Sequence, residues 1–124
     1  MLAALQDERA PAGELSLVFV GERAMRQINL DYRGIDRPTD VLSFSYWNEP
    51  HAGSVLGEVF VSPAYAERQA REAGCATEEE LVRLSLHGLL HVIGYDHDTP
   101  PTRRRMLARQ ERYLKRWFRP GGTR

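Results

Sequence analysis

The segment from Thr77 to Ile93 constrains the fold of this chain more than any other part of the sequence. Its apolar residues fall on every side of a helix instead of along one stripe, which is typical of a helix surrounded by other structure. They are Leu81, Val82, Leu84, Leu86, Leu89, Leu90, Val92 and Ile93. Two histidines, His87 and His91, lie within the same segment. The sequence therefore predicts a buried central helix that carries two imidazole groups.

Local signals indicate where this helix begins and ends. Thr77 followed by Glu80 forms a capping-box pattern, in which the two residues satisfy backbone N–H groups at a helix start. Gly94 readily takes the left-handed conformation that ends a helix and turns the chain. Pro100 and Pro101 then separate the central helix from a final helix.

The elements before the central helix follow from periodicity and from proline and glycine boundaries. Alternating β-forming residues predict three strands, and helical spacing of apolar residues predicts two helices. The strands span residues 15–20, 41–46 and 55–62, and the helices span residues 22–33 and 63–73. The short loop between the second and third strands favours antiparallel pairing of these two.

Length and composition favour a single domain over residues 1–124, because a chain of this size buries one core but not two. No apolar stretch approaches the roughly 20 residues that span a bilayer. The first ten residues hold charged side chains where a signal peptide is apolar. We therefore expect a cytoplasmic protein. The single cysteine, Cys75, excludes an internal disulfide and a cysteine-rich metal site.

Three of the four histidines, His87, His91 and His97, lie within eleven residues. Positions i and i+4 of a helix share one face, so His87 and His91 can present two imidazoles to one cation. A chain reversal at Gly94 would return His97 to the same point. Three histidines with a fourth position open to water or substrate are the pattern of a catalytic zinc ion, one per chain. Cys75 or His51 would have to close the site for a purely structural role, and neither has the local spacing.

The histidine spacing also matches the signature of metzincin peptidases, except that Gly88 stands where those enzymes have a glutamate. A peptidase of that type needs the carboxylate for proton transfer, and glycine provides none. A metallopeptidase is therefore the second interpretation of the site.

The final segment is strongly basic, although the net charge of the chain is zero. Residues 99–124 carry 9 Lys and Arg against 1 acidic residue, whereas residues 1–98 carry 8 against 16. Such a cluster can bind nucleic-acid phosphates. It can equally be the solvated face of an amphipathic helix, because Met106, Leu107, Tyr113 and Leu114 recur at helical spacing.

Three ordered motifs together resemble the YbeY family of bacterial rRNA-maturation endoribonucleases. The first is the run from His87 to His97, in which Gly88, Leu90, Gly94, Tyr95 and Asp96 also match. The second spans residues 30–44 and includes Arg33, and the third consists of residues 56–59 with Ser62. The chain departs from the family pattern at Ser45, where proline is usual, and at Glu58, where aspartate is usual. It also has only fourteen residues before Leu15, where the family usually has a further strand and most of a helix.

The resemblance implies a small α+β fold with a central buried metal-binding helix, flanking helices and a short mixed or antiparallel sheet. It implies zinc held by His87, His91 and His97, and a function for Arg33. It also implies an endoribonuclease that acts on single-stranded precursor rRNA, in maturation of the 16S 3′ end and in ribosome quality control. The partners it implies are the small ribosomal subunit and a ribosome-associated GTPase.

The expected catalytic residues are Arg33 and His87, with Arg33 also binding substrate. A guanidinium donates two parallel hydrogen bonds to a phosphate. Without the resemblance, Arg33 would be interpreted as a surface residue paired with Asp36 or Asp40. A third interpretation of the whole chain is a ribosome-assembly factor whose zinc is mainly structural.

Other candidate residues stay open at this point. Glu58, Asp96 and Asp98 are the candidates for a general base, and Asp96 can equally orient a histidine. Ser43 and Thr39 can contact substrate or serve the backbone of a strand edge and a turn. Tyr46 and Trp47 can stack on unpaired bases, although ordinary packing explains them as well.

Overall fold

A computed structural model describes residues 14–46, 55–93 and 100–117 of the chain. In order, its elements are β1 (Glu14–Phe19), α1 (Glu22–Arg33), β2 (Val41–Ser45), β3 (Val55–Val61), α2 (Pro63–Ala73), α3 (Thr77–Val92) and α4 (Pro100–Trp117). The predicted α+β class is confirmed. The strands and helices predicted with bounds lie within two residues of their observed ranges, because their patterns and breakers are local.

The three described strands form one mixed sheet in the order β1, β3, β2. β3 therefore lies in the centre although it is the last strand in the sequence. It pairs parallel with β1 and antiparallel with β2. The predicted antiparallel pair is confirmed, and the parallel pair is possible because the whole of α1 and β2 separates β1 from β3 along the chain.

The predicted buried helix is α3, which packs against β2, β3, α2 and α4. One apolar cluster joins it to α4, and another joins it to β3 and α2. Leu86, Leu89 and Leu90 belong to the first cluster, and Leu84 and Val92 to the second. Because other elements cover α3 on several sides, its apolar residues are not confined to one stripe of the helix.

The helix ends show which local signals the structure uses. The capping-box prediction at Thr77 is wrong, since Thr77 is the first helical residue and the residue before it, Ala76, makes no side-chain cap. By contrast, the hydroxyl of Ser62 accepts a hydrogen bond from the N–H of Tyr65 and caps α2. The central helix ends at Val92, one turn after Leu89, and the predicted turn at Gly94 lies outside the described residues.

The final helix has the amphipathic character predicted for it. Met106, Gln110, Tyr113 and Leu114 are buried against the rest of the protein. Its basic residues are mostly exposed. No helix in the described ranges is long and apolar enough to cross a membrane.

α3 approaches the sheet closely at Gly88. A Cβ at this position would lie 2.4 Å from Cγ1 of Val59 and 3.2 Å from Cγ2 of Val41. Val59 is fully buried, so its β-branched side chain has no space to move away. This contact explains why the residue that follows His87 is a glycine, and it leaves no room for the glutamate of a metzincin peptidase.

Replacing Gly88 with alanine tests this contact, because two physical effects predict opposite signs. Helix propensity alone would stabilise the protein by about 1 kcal/mol. We expect instead a net loss of roughly 1–3 kcal/mol, because overpacking a closed contact forces α3 away from β3. Urea unfolding would measure the difference, with Gly21→Ala as the control, since a Cβ at Gly21 meets nothing within 4 Å. Equal or greater stability of Gly88→Ala would contradict the close-packing interpretation.

Candidate active site

A cavity of about 590 Å³ opens beside β2 and is lined by three of the predicted catalytic and metal-binding residues. Arg33 reaches it from the end of α1, and His87 and His91 reach it from α3. The remaining lining residues are Thr39, Asp40, Val41, Leu42, Ser43, Phe44, Gln69, Glu80, Arg83, Leu84 and Gln110. The fold thus brings together an arginine and two histidines that the sequence places in separate motifs.

The two histidines of α3 are half-buried and share the cavity, as their spacing predicts. Nδ1 of His87 lies 2.7 Å from Oε1 of Gln110, on α4. His97, the third predicted ligand, lies outside the described residues. Within the described ranges, no three His, Cys, Asp or Glu side chains are grouped to hold a metal ion. The imidazole pair has the donor chemistry that zinc prefers, and it fits two of the three predicted ligand positions.

A charged cluster centred on Arg83 lies beside the histidines. Its guanidinium donates to Oε2 of Glu111 over 2.9 Å, to Oε1 of Glu80 over 2.5 Å and to Oε2 of Glu79 over 3.2 Å. Burial acts against the charge of Arg83, but its bonds to Glu111 and Glu80 raise its pKa well above the ordinary value. Burial likewise opposes ionisation of Glu111, yet the hydrogen bond from Arg83 lowers the pKa of this carboxyl overall. The cluster therefore holds α3 against α4 with its charges in place.

Arg33 is the last residue of α1, and the backbone around it is held firmly. Gly34 follows with a φ of 72°, and its N–H donates to the carbonyl of Leu30. This left-handed cap suits glycine and ends the helix at the mouth of the cavity. In the next turn, Nδ2 of Asn29 donates to the carbonyl of Arg37 over 2.8 Å.

The alternative interpretation of Arg33, a pair with Asp36 or Asp40, is not observed in the described part of the chain. Asp36 accepts two hydrogen bonds from Arg26, at 2.6 and 3.1 Å. Asp40 accepts from the N–H of Val41 and from the side chain of Gln69. Within the described residues, Arg33 therefore lines the cavity without an ion pair to either carboxylate.

The candidate carboxylates occupy different positions. Glu58 is not part of the cavity lining, and its Oε1 accepts a hydrogen bond from the hydroxyl of Tyr46 over 2.9 Å. Asp40 and Glu80 do line the cavity, but both oxygens of Asp40 and Oε1 of Glu80 accept hydrogen bonds from protein donors. Asp96 and Asp98 lie outside the described residues. These bonds favour structural roles for Glu58, Asp40 and Glu80.

The other residues that the sequence suggested for substrate contact also differ in position. Thr39 and Ser43 line the cavity, as expected of residues that contact substrate. The hydrogen bond from Tyr46 to Glu58 favours packing over base stacking, and Trp47 lies outside the described residues. Cys75 is not among the residues that line the cavity and stays a free thiol.

Sequence reasoning missed several polar residues of the cavity, chiefly Gln110, Glu80 and Arg83. Gln110 carried a usable signal, because it lies four residues from both Met106 and Leu114 on the apolar stripe of α4. A polar residue on a buried stripe needs a hydrogen-bond partner. Nothing in the sequence identified His87 as that partner.

The contact between Tyr46 and Glu58 predicts a loss of stability at high pH. Burial, together with the hydrogen bond to Glu58, raises the pKa of Tyr46 to about 12. A raised pKa means that folding favours the neutral phenol, so this stabilisation is complete below about pH 10 and is lost as the pH rises towards 12. We expect the free energy of unfolding to fall more between pH 10 and 12 in wild type than in Tyr46→Phe. Tyr65→Phe is the control, and identical pH profiles for wild type and Tyr46→Phe would contradict the assignment.

Comparison with known proteins identifies the family of the chain. A family model described as endoribonuclease YbeY matches residues 1–118. The chain belongs to the YbeY family. The enzyme class predicted from the sequence, an endoribonuclease and hence a hydrolase, is confirmed at the level of this family.

Two YbeY relatives and one solved structure show how far the similarity extends. The endoribonuclease YbeY of Heliobacterium modesticaldum is 42% identical over 113 residues, which cover 82% of this chain and 68% of the relative. That of Brevibacillus brevis is 40% identical over 118 residues, 83% of this chain and 74% of the relative. The solution structure of TM1509 from Thermotoga maritima has 32% sequence identity and a TM-score of 0.65, and the match covers 91% of this chain and 73% of that one.

Proposed function

We propose that this protein is a zinc-dependent endoribonuclease that cleaves single-stranded regions of precursor rRNA. The main support for the proposal is the cavity, which is lined by Arg33 and by two histidines with the spacing of zinc ligands. Membership of the YbeY family supports the reaction class. We further propose that it acts in the cytoplasm on the 16S 3′ end and in ribosome quality control. Its proposed partners there are the small ribosomal subunit and a ribosome-associated GTPase.

His87, His91 and His97 are the residues that would hold one zinc ion. When bound, zinc supplies Lewis-acid polarisation of a phosphoryl oxygen and acidifies a water molecule. The two histidines of α3 are well suited to this role, because the buried helix fixes their relative position before any ligand arrives.

Arg33 would bind the phosphodiester through its planar guanidinium. Two parallel N–H groups match two phosphate oxygens, and the same donors stabilise negative charge that builds up on those oxygens during cleavage. The firm cap at Gly34 and the bond from Asn29 to Arg37 hold the backbone around this arginine. Thr39 and Ser43 would supply further polar contacts to the RNA.

A second hollow of about 330 Å³ extends the space available to RNA. Arg33 and Thr39 line both spaces, and Arg37 and Tyr65 also line the second one. Arginines beside a half-buried aromatic ring suit a phosphate and an unpaired base. This continuity favours a substrate longer than one nucleotide.

Metal content and cleavage, measured on the same nuclease-free preparations, test the proposal. We expect about one zinc per chain in wild type and in Arg33→Ala, and loss of zinc in His91→Ala. Wild type should cleave a single-stranded precursor-rRNA fragment but not its base-paired form. Arg33→Ala should cleave about 10²–10³ times more slowly, because donors to the developing charge are removed. Arg23→Ala, an exposed arginine of α1 outside the cavity, is the matched control.

Each alternative function predicts a different result. Zinc binding without cleavage by the wild type would favour an assembly factor with structural zinc. Peptide cleavage that Arg33→Ala leaves unchanged would favour a metallopeptidase. Full zinc content in His91→Ala would overturn the ligand set itself.

A further inference from the structure

The buried side chain of Gln110 joins the candidate metal site to the charged cluster. It is 5% exposed, and its Oε1 lies 2.7 Å from Nδ1 of His87. Its Nε2 lies 3.0 Å from Oε2 of Glu111. Both ends of the amide are therefore engaged, one by a metal-ligand candidate and the other by a carboxylate.

The charge of Glu111 decides which way the amide points. An ionised carboxylate only accepts hydrogen bonds, so the group that faces Glu111 must be the NH₂ of Gln110. Glu111 is held in this state by Arg83, which donates to both of its oxygens at 2.9 and 3.4 Å. The amide oxygen of Gln110 must then face His87. A flipped amide would place this oxygen against the carboxylate of Glu111, which is a contact between two acceptors.

The orientation of the amide in turn decides the tautomer of His87. A carbonyl oxygen only accepts, so the Nδ1 of His87 that faces it must carry the hydrogen. A neutral imidazole with its hydrogen on Nδ1 has its lone pair on Nε2. Arg83 thus fixes the charge of Glu111, and Glu111 fixes the orientation of the Gln110 amide. This amide in turn fixes the tautomer of His87.

We propose that Gln110 is a positioning residue, which fixes His87 in the Nδ1–H tautomer and the ring orientation that present Nε2 as the metal-binding atom. The proposal rests on the proposed zinc site. Metal-binding histidines commonly donate their other N–H to an oxygen of the protein, and this bond fixes the ring. Here that oxygen comes from a helix that contributes none of the three predicted ligands.

The first test uses metal-free wild-type protein and needs no variant. Long-range ¹H–¹⁵N NMR spectra distinguish a protonated ring nitrogen from one that carries a lone pair. We expect the Nδ1 of His87 to be protonated and its Nε2 to be unprotonated. A neutral His87 ring with its hydrogen on Nε2 and the lone pair on Nδ1 would overturn the proposal, whether or not the protein binds zinc or cleaves RNA.

The second test replaces Gln110 with methionine, which is similar in length but lacks the amide. We expect the zinc Kd, measured by competition with a chelator, to rise about 10–100-fold, as for other outer partners of metal ligands. The Nδ1–H tautomer of His87 should also lose its dominance. Gln110→Glu retains an oxygen that accepts from Nδ1–H but places a carboxylate oxygen against Glu111, so it should restore the zinc affinity only in part.

Arg112→Met, an exposed change on the same helix, controls for effects on α4 itself. A zinc Kd within twofold of wild type in folded Gln110→Met, with the tautomer unchanged, would overturn the proposal. If Gln110→Met does not fold, the wild-type tautomer alone decides. If wild type shows the expected tautomer but binds no zinc, the proposed function fails and the structural role of Gln110 stands.

Discussion

The close packing of α3 on the sheet is the constraint on which the rest of the structure depends. At Gly88 the helix approaches β3 so closely that a methyl group would meet Val59. A similar approach occurs at Gly57 on β3, where a Cβ would lie 2.7 Å from Cγ1 of Val92 on α3. This packing turns one side of α3 towards the apolar core and leaves His87 and His91 beside the edge strand β2, where the cavity opens.

Much of the fold was accessible from the sequence because its signals are local. Strand alternation, helical periodicity and the glycines at positions 34 and 74 gave nearly correct element bounds. The Thr77 capping box failed because a short pattern does not show which residue begins the helix, and Glu80 pairs with Arg83 instead. Local patterns do not predict the strand order of the sheet, since this order depends on how the helices pack against the strands.

The candidate site was accessible only in part, for a related reason. The i, i+4 spacing predicts that His87 and His91 share one face, and the structure confirms it. The position of Arg33 beside them depends on tertiary packing, and the family motif rather than physical reasoning identified it. The spacing of Gln110 indicates a buried polar residue of α4, but it does not show that the partner is His87 on α3.

The central position of β3 has a consequence for synthesis of the protein. A chain is made from its N-terminus, so β1 and β2 emerge from the ribosome before the strand that pairs with both of them. The cavity is completed later still, because its lining runs from Arg33 on α1 to Gln110 on α4. An interrupted translation product that lacks α4 would therefore display the arginine and the histidines without the surroundings that hold them. Assembly of the cavity is thus coupled to translation of the chain as far as α4.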